Sequence, residues 1–147
     1  MKTIINSIVA AIMVMATTAV NAQEKVVTFN QLPKAAQTFI TKYYDAKNVA
    51  YVTEEADFLS VKEYEVKLND GKKIEFDGKG NWKEVDAKKE AVPAAIVPAA
   101  IVSHVNKSFP NNIIVQIKKS SRKYEVELSN GLDLEFDTKG KFLRIDD

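Results

Sequence analysis

The chain has 147 residues, 46% of them apolar and 28% charged, which is the composition of a globular protein rather than a disordered or fibrous one. Its formal net charge is +1 and its basic residues are interleaved with acids, as in Lys83-Glu84, so the clustered cationic surface that a nucleic-acid backbone requires is not expected. The absence of cysteine excludes disulfides, thiol catalysis and a lipid-modified cysteine, leaving stability to the apolar core.

The first segment pairs Lys2 with a mostly apolar run from Ile4 to Val20. Val20-Asn21-Ala22 then precedes the polar Gln23-Glu24-Lys25. This is the layout of a secretory signal peptide over residues 1–22, cut after Ala22. A membrane anchor is the competing reading, but Asn6, Ser7, Thr17 and Thr18 dilute the run and no basic cluster follows to stop transfer. Cleavage would leave 20 basic and 20 acidic side chains. The expected product is a periplasmic or secreted protein with no membrane span in the mature chain.

Leu32, Ala36, Phe39, Ile40 and Tyr43 recur at helical spacing, predicting a helix that starts near Pro33. Proline suits a first helical turn because its missing N–H would have no partner there. Val49 to Thr53 reads as a strand. From Lys62 onward, Tyr64, Val66 and Leu68 alternate with Glu65 and Lys67, the period of a half-buried strand. Asn69-Asp70-Gly71 supplies residues tolerant of positive φ for a tight hairpin. A return strand carries Ile74 and Phe76, and the turn Asp77-Gly78-Lys79-Gly80 leads to a last strand with Trp82 and Val85.

The same order then recurs. Residues 87–97 read as a linker. A second helix starts at Pro98 and carries Ile101, Val102, Val105 and Phe109; starting it at Pro93 would place Pro98 inside the helix at a cost of about 3 kcal/mol. Ile113 to Ile117 is the next strand, and Arg122 to Asp146 aligns without gaps on Lys62 to Asp86, with Tyr124, Val126, Leu128, Gly131, Phe136, Asp137 and Gly140 in matching places. The fold class predicted is α+β: two tandem α-β-β-β-β units, 23–86 and 98–147, each a helix packed on one face of a four-stranded antiparallel sheet.

Leu32-Pro33, a helix, a strand, then Tyr64-Glu-Val-Lys-Leu-Asn-Asp-Gly71 and Ile74-Glu-Phe-Asp77 together resemble the PepSY-like family described as similar to β-lactamase inhibitor protein. Val97-Pro98, Phe109-Pro110 and Tyr124-Glu-Val-Glu-Leu-Ser-Asn-Gly131 carry the likeness into the second copy, so that it covers nearly all of residues 26–147. The resemblance implies an exported α+β protein with a role in binding, and no catalytic residues. β-Lactamase inhibitor protein carries disulfides, whereas this chain has no Cys, so recognition of a β-lactamase does not carry over.

Candidate chemistry is sparse. His104 is the only histidine and stands where the first copy has Phe39, so a nucleophilic triad is not expected. One His without Cys does not make a zinc site, and the turns at Asp77 and Asp137 lack the ligand spacing of a calcium loop and the length of a phosphate loop. No enzyme activity, cofactor or metal is predicted. Strand alternation sends Glu65, Lys67, Lys73 and Glu75, with Glu125, Glu127, Asp133 and Glu135, away from the core, and these eight form the expected partner surface. The function read from the sequence is an exported, non-catalytic binding module, inhibitor-like towards an envelope or extracellular protein. A structural, envelope-associated protein is the alternative, distinguished by self-association and no discrete partner.

Overall fold

Strand alternation organises the molecule from Lys62 onward, and the computed structural model, which describes residues 23–146, shows what it builds. Nine strands follow one another in chain order: β1 Gln23–Val27, β2 Val49–Ala56, β3 Lys62–Leu68, β4 Lys73–Asp77, β5 Trp82–Asp86, β6 Ile114–Lys119, β7 Lys123–Leu128, β8 Asp133–Asp137 and β9 Phe142–Asp146. Every strand pairs antiparallel with its neighbours in sequence, giving one continuous sheet in the order β1 to β9. The leader predicted over residues 1–22 lies outside the described residues.

Helix α1, Lys34–Tyr43, connects β1 to β2, and α2, Ala99–Ser108, connects β5 to β6. Pro33 and Pro98 occupy the two N-caps, as the sequence requires of residues without an N–H to offer. Pro93 instead opens a short 3-10 turn, Ala94–Ile96, within the predicted linker. Ala36 and Ile40 of α1 and Ile101 and Val105 of α2 are buried against the same sheet face.

The prediction of two tandem units with separate four-stranded sheets is overturned. Strand β5 pairs with β6 through Glu84↔Lys118, Val85↔Ile117 and Asp86↔Gln116, so the sheet runs through the place where the two units were to meet. Val85 and Ile117 are both fully buried, and one apolar cluster extends from Val27 to Phe136. The physical reason is the cost of bare strand edges. Two four-stranded sheets would leave four edges of unpaired N–H and C=O groups, and joining them leaves two. The strand β1 was not foreseen. It pairs with β2 from Gln23↔Ala56 to Val27↔Val52 and lengthens β2 to Ala56.

The predicted helix-facing side is otherwise as read. Tyr64, Val66, Leu68, Ile74 and Phe76 are buried, as are Val126, Leu128, Leu134 and Phe136, with Tyr124 partly so. Gly71 and Gly131 close their hairpins at φ 91° and 85°, where a side chain would be strained. The turn glycine Gly80 has a second role: a Cβ there would lie 2.8 Å from the Ala36 backbone nitrogen, so the turn can sit against the start of α1 only as glycine.

Candidate functional site

All eight predicted surface residues fall on the sheet face opposite the helices, and they oppose one another in the ladder. Glu65 stands across from Glu75 and Lys67 from Lys73 in β3 and β4; Glu125 stands across from Glu135 and Glu127 from Asp133 in β7 and β8. Each is a like-charge pair placed side by side, an arrangement that destabilises a sheet unless opposite charges intervene.

Cations intervene at two of the four pairs, Glu65 with Glu75 and Glu125 with Glu135, and acids hold Lys73 of the lysine pair. Lys73 bridges Glu75 at 2.8 Å and Glu84 at 3.3 Å. Burial works against its charge, but the Glu75 hydrogen bond and the field of Glu84 outweigh that and hold its ammonium well above the usual lysine range. Lys123 bridges Glu125 at 2.6 Å and also reaches Glu135. The guanidinium of Arg144 donates to Glu135 at 2.8 and 3.2 Å. These hydrogen bonds, first from Arg144 and then from Lys123, draw the Glu135 carboxyl down to about 2.

Two features correct the picture of a uniformly solvated face. Glu135, predicted as part of the exposed surface, is only 5% exposed, because the long side chains of Lys123 and Arg144 fold over it. Glu84, which sequence reasoning passed over, is buried to a similar degree at the join between the two halves, where its carboxylate accepts from Gln116 Nε2 at 2.6 Å and pairs with Lys73 and Lys118. Neither burial is visible in a period-two pattern: Glu84 is covered because β6 comes to lie beside β5, and Glu135 because the long side chains of its foreseen neighbours β7 and β9 fold over it.

The pair Glu127 and Asp133 is different. Among the described residues, neither carboxylate has a Lys or Arg nitrogen within 4 Å. They line a depression of about 200 Å³ together with Gln116, Lys118, Glu125 and Asp146. At the other side of the same face, Glu65 lines a second depression of about 220 Å³ with Glu24, Thr53, Glu55, Glu63 and Glu75. In the first of these depressions Glu125, Glu135 and Asp146 approach within 4.8 Å of one another, close enough to share an ion. Lys123 and Arg144 already neutralise them, so a metal would first have to displace two cations.

His104 is half-buried on α2, stacked on Phe142 with centroids 4.4 Å apart and edge-on to Phe136 at 5.5 Å and 81°. Phe39 of α1 meets Phe76 with the same distance and angle. The histidine therefore stands where the first half of the sheet uses an aromatic ring to pack.

The class so defined is an α+β protein with one antiparallel sheet, helices on a single face and a charged second face that no other described residue covers. The chain belongs to the PepSY-like family, described as beta-lactamase-inhibitor-like, whose pattern matches residues 62–144. Three solved structures from Bacteroides are similar over nearly their whole length. A periplasmic protein of the DUF2874 family from Bacteroides vulgatus ATCC 8482 is 40% identical, with a TM-score of 0.79 over 84% of this chain and 97% of its own. A protein from Bacteroides thetaiotaomicron, described as a calcium-regulated periplasmic protein, is 43% identical, with a TM-score of 0.80 over 84% and 97%. A second periplasmic protein from B. vulgatus ATCC 8482 is 36% identical, with a TM-score of 0.81 over 85% and 100%. No curated protein matches. With these relatives the chain is assigned to the periplasm or the secreted fraction. Among the described residues no helix is long and apolar enough to cross a membrane, and the family description names no reaction.

Proposed function

We propose that this protein is a non-catalytic, inhibitor-like binding module that captures a basic protein partner of the envelope or extracellular space on the uncovered sheet face. The observation that carries the reading is the Glu127 and Asp133 pair: two carboxylates directly opposite in the ladder, with no Lys or Arg nitrogen within 4 Å of either among the described residues. A sheet selected only for stability gains from a lysine at one of the two positions, and the corresponding pair sixty residues earlier consists of Lys67 and Lys73. Glu65, which like Glu127 and Asp133 has no Lys or Arg nitrogen within 4 Å among the described residues, adds a further open carboxylate on the same face, whereas Glu75, Glu125 and Glu135 are already paired with Lys73, Lys123 and Arg144. A partner's Lys or Arg side chains entering the depression at Glu127 would complete the charge pairing that the chain leaves open.

Export rests on the leader read over residues 1–22, and N-terminal sequencing of the envelope form should return Gln23. Intact Met1 in a membrane pellet would replace secretion with anchoring. The binding surface is tested with Glu65→Lys, Glu127→Lys and Asp133→Lys, chosen because none of the three is engaged in an ion pair that holds the sheet. Capture of the wild-type partner should weaken as salt rises and fall at least tenfold in the triple variant, with thermal stability unchanged or increased. Capture indifferent to both changes moves the interface elsewhere.

A further inference from the structure

The loop between β2 and β3 is built on the same plan as two turns that the fold needs. At Asp77 and Asp137 a carboxylate oxygen accepts from the backbone N–H two and four residues on, at 2.9 Å each, and a positive-φ glycine follows at the fourth position, packed against a helix start. Asp57 repeats this plan: its Oδ1 accepts from Leu59 and Val61 N–H at 2.9 Å, and Ser60 takes the fourth position at φ 60°. The tips differ. The two structural turns carry Gly78-Lys79 and Thr138-Lys139, whereas this one carries Phe58-Leu59, 78% and 67% exposed, with Val61 on the stem at 55%. A turn closed by its own aspartate keeps the two large apolar side chains in water in a fixed arrangement, which costs free energy and contributes nothing to the core.

A receiving site lies on the same chain. Between the linker, α2 and the start of β6, Val92, Val97, Val102, Val105, Ile113 and Ile114 line an apolar groove of about 160 Å³, with Ile113 43% exposed at its mouth. The register places finger and groove at opposite ends of the strands. Ala56↔Lys62 closes the finger end of β2 and β3, whereas Ile114 pairs with Leu128 at the end marked by Leu68 and Lys73. The finger therefore cannot fold back into its own groove. Charge agrees with a second copy as the occupant: beside the finger Glu54 pairs with Lys62 and Glu63 with Lys83, which leaves Glu55 and Asp57 without a cation among the described residues, and beside the groove Glu90 pairs with Lys72, which leaves Lys89 and Lys107 without an acid among them.

We infer that Phe58 and Leu59 of one copy seat in the Val102 and Ile113 groove of another, head to tail. Such a contact joins different surfaces of the two partners and so propagates into open chains or closes as a ring. One turn in one groove is far below the area of a stable interface, so the dissociation constant is expected on the order of 100 μM. The contact leaves the acidic sheet face of every copy free and does not depend on the partner proposed above.

Sedimentation velocity of the exported chain from 10 μM to 1 mM tests it, with Phe58→Ser/Leu59→Ser as a finger variant and Ala94→Glu/Ile113→Glu as a groove variant, all four positions being exposed. The wild type should grow in mass with concentration, and each variant alone should lose at least tenfold in association constant. Mixing the variants should restore a discrete 1:1 dimer, because each retains the half that the other lacks. A wild type that stays monomeric at 1 mM, or association that survives both variants, overturns the inference. So does Phe58-dependent flotation with phosphatidylethanolamine and phosphatidylglycerol vesicles by a protein that does not self-associate, which would make the finger a lipid-inserting device.

Discussion

At the residue scale, Glu135 is the most informative side chain, because its carboxylate is covered by the two cations that neutralise it. Its folded-state pKa lies below its ordinary value of 4.5, at about 2. The stability it contributes is therefore fully present above pH 4.5 and is lost as the pH falls towards 2. Glu135→Gln should lower stability at pH 7 and flatten the acid limb of a urea midpoint plotted against pH between those values; an unchanged acid limb would mean that Arg144 and Lys123 do not hold the charge. The hairpin glycines give a second test at this scale. At φ 91° and 85°, Gly71 and Gly131 have open space around a would-be Cβ, so the strain is purely conformational. Replacement by Asn should cost well under replacement by Val, since Asn tolerates the left-handed region and a β-branched residue does not. Equal losses on thermal denaturation would contradict the turn assignment.

At the element scale, each helix meets the sheet through an aromatic ring standing edge-on to a fully buried phenylalanine: Phe39 on Phe76, and His104 on Phe136. Truncation of Phe76 or Phe136 to Ala should cost about 3–5 kcal/mol by chemical denaturation, and a loss below about 1 kcal/mol at both would mean the strand faces are reversed. These elements were legible in the sequence because each announces itself locally: helical spacing from Leu32, proline at the helix start, strict alternation from Tyr64 to Leu68, and glycine in each hairpin. Strand β1 was not legible. Gln23-Glu-Lys-Val-Val27 is short, polar over its first three residues and buries only Val27, so its extended form comes from pairing with β2 rather than from its own pattern. The β2–β3 finger has no hydrophobic period of its own to read. Its aspartate turn could have been recognised by setting Asp57 to Val61 beside Asp77 to Asn81.

At the scale of the whole molecule, the question that sequence left open is how strand edges are used. Alternation tells which residues of a strand face the core but not which strand lies alongside, and nothing local to Val85 or Ile117 states that they meet. The facing of the eight surface residues could be read because it is a local property; the burial of Glu84 could not, because β6 is brought in by the joined sheet, and that of Glu135 could not, because it depends on how the side chains of Lys123 and Arg144 lie. One sheet with one core predicts one cooperative unfolding transition. Trp82, the single tryptophan, sits at the join with the Lys119 ammonium 4.1 Å from its ring centre, so its fluorescence reports on the contact between β5 and β6. Its melting curve should coincide with that of far-UV circular dichroism, and two separated transitions would restore independent units.

Crosslinking in the native envelope followed by mass spectrometry, performed on the wild type and on the Glu65→Lys, Glu127→Lys, Asp133→Lys variant, tests the uncovered face most directly. The account predicts a discrete basic protein crosslinked through β3, β4, β7 and β8, with its yield reduced at least tenfold in the variant and by added salt. The same protein recovered at equal yield from the variant, or crosslinked through the helices, would contradict it.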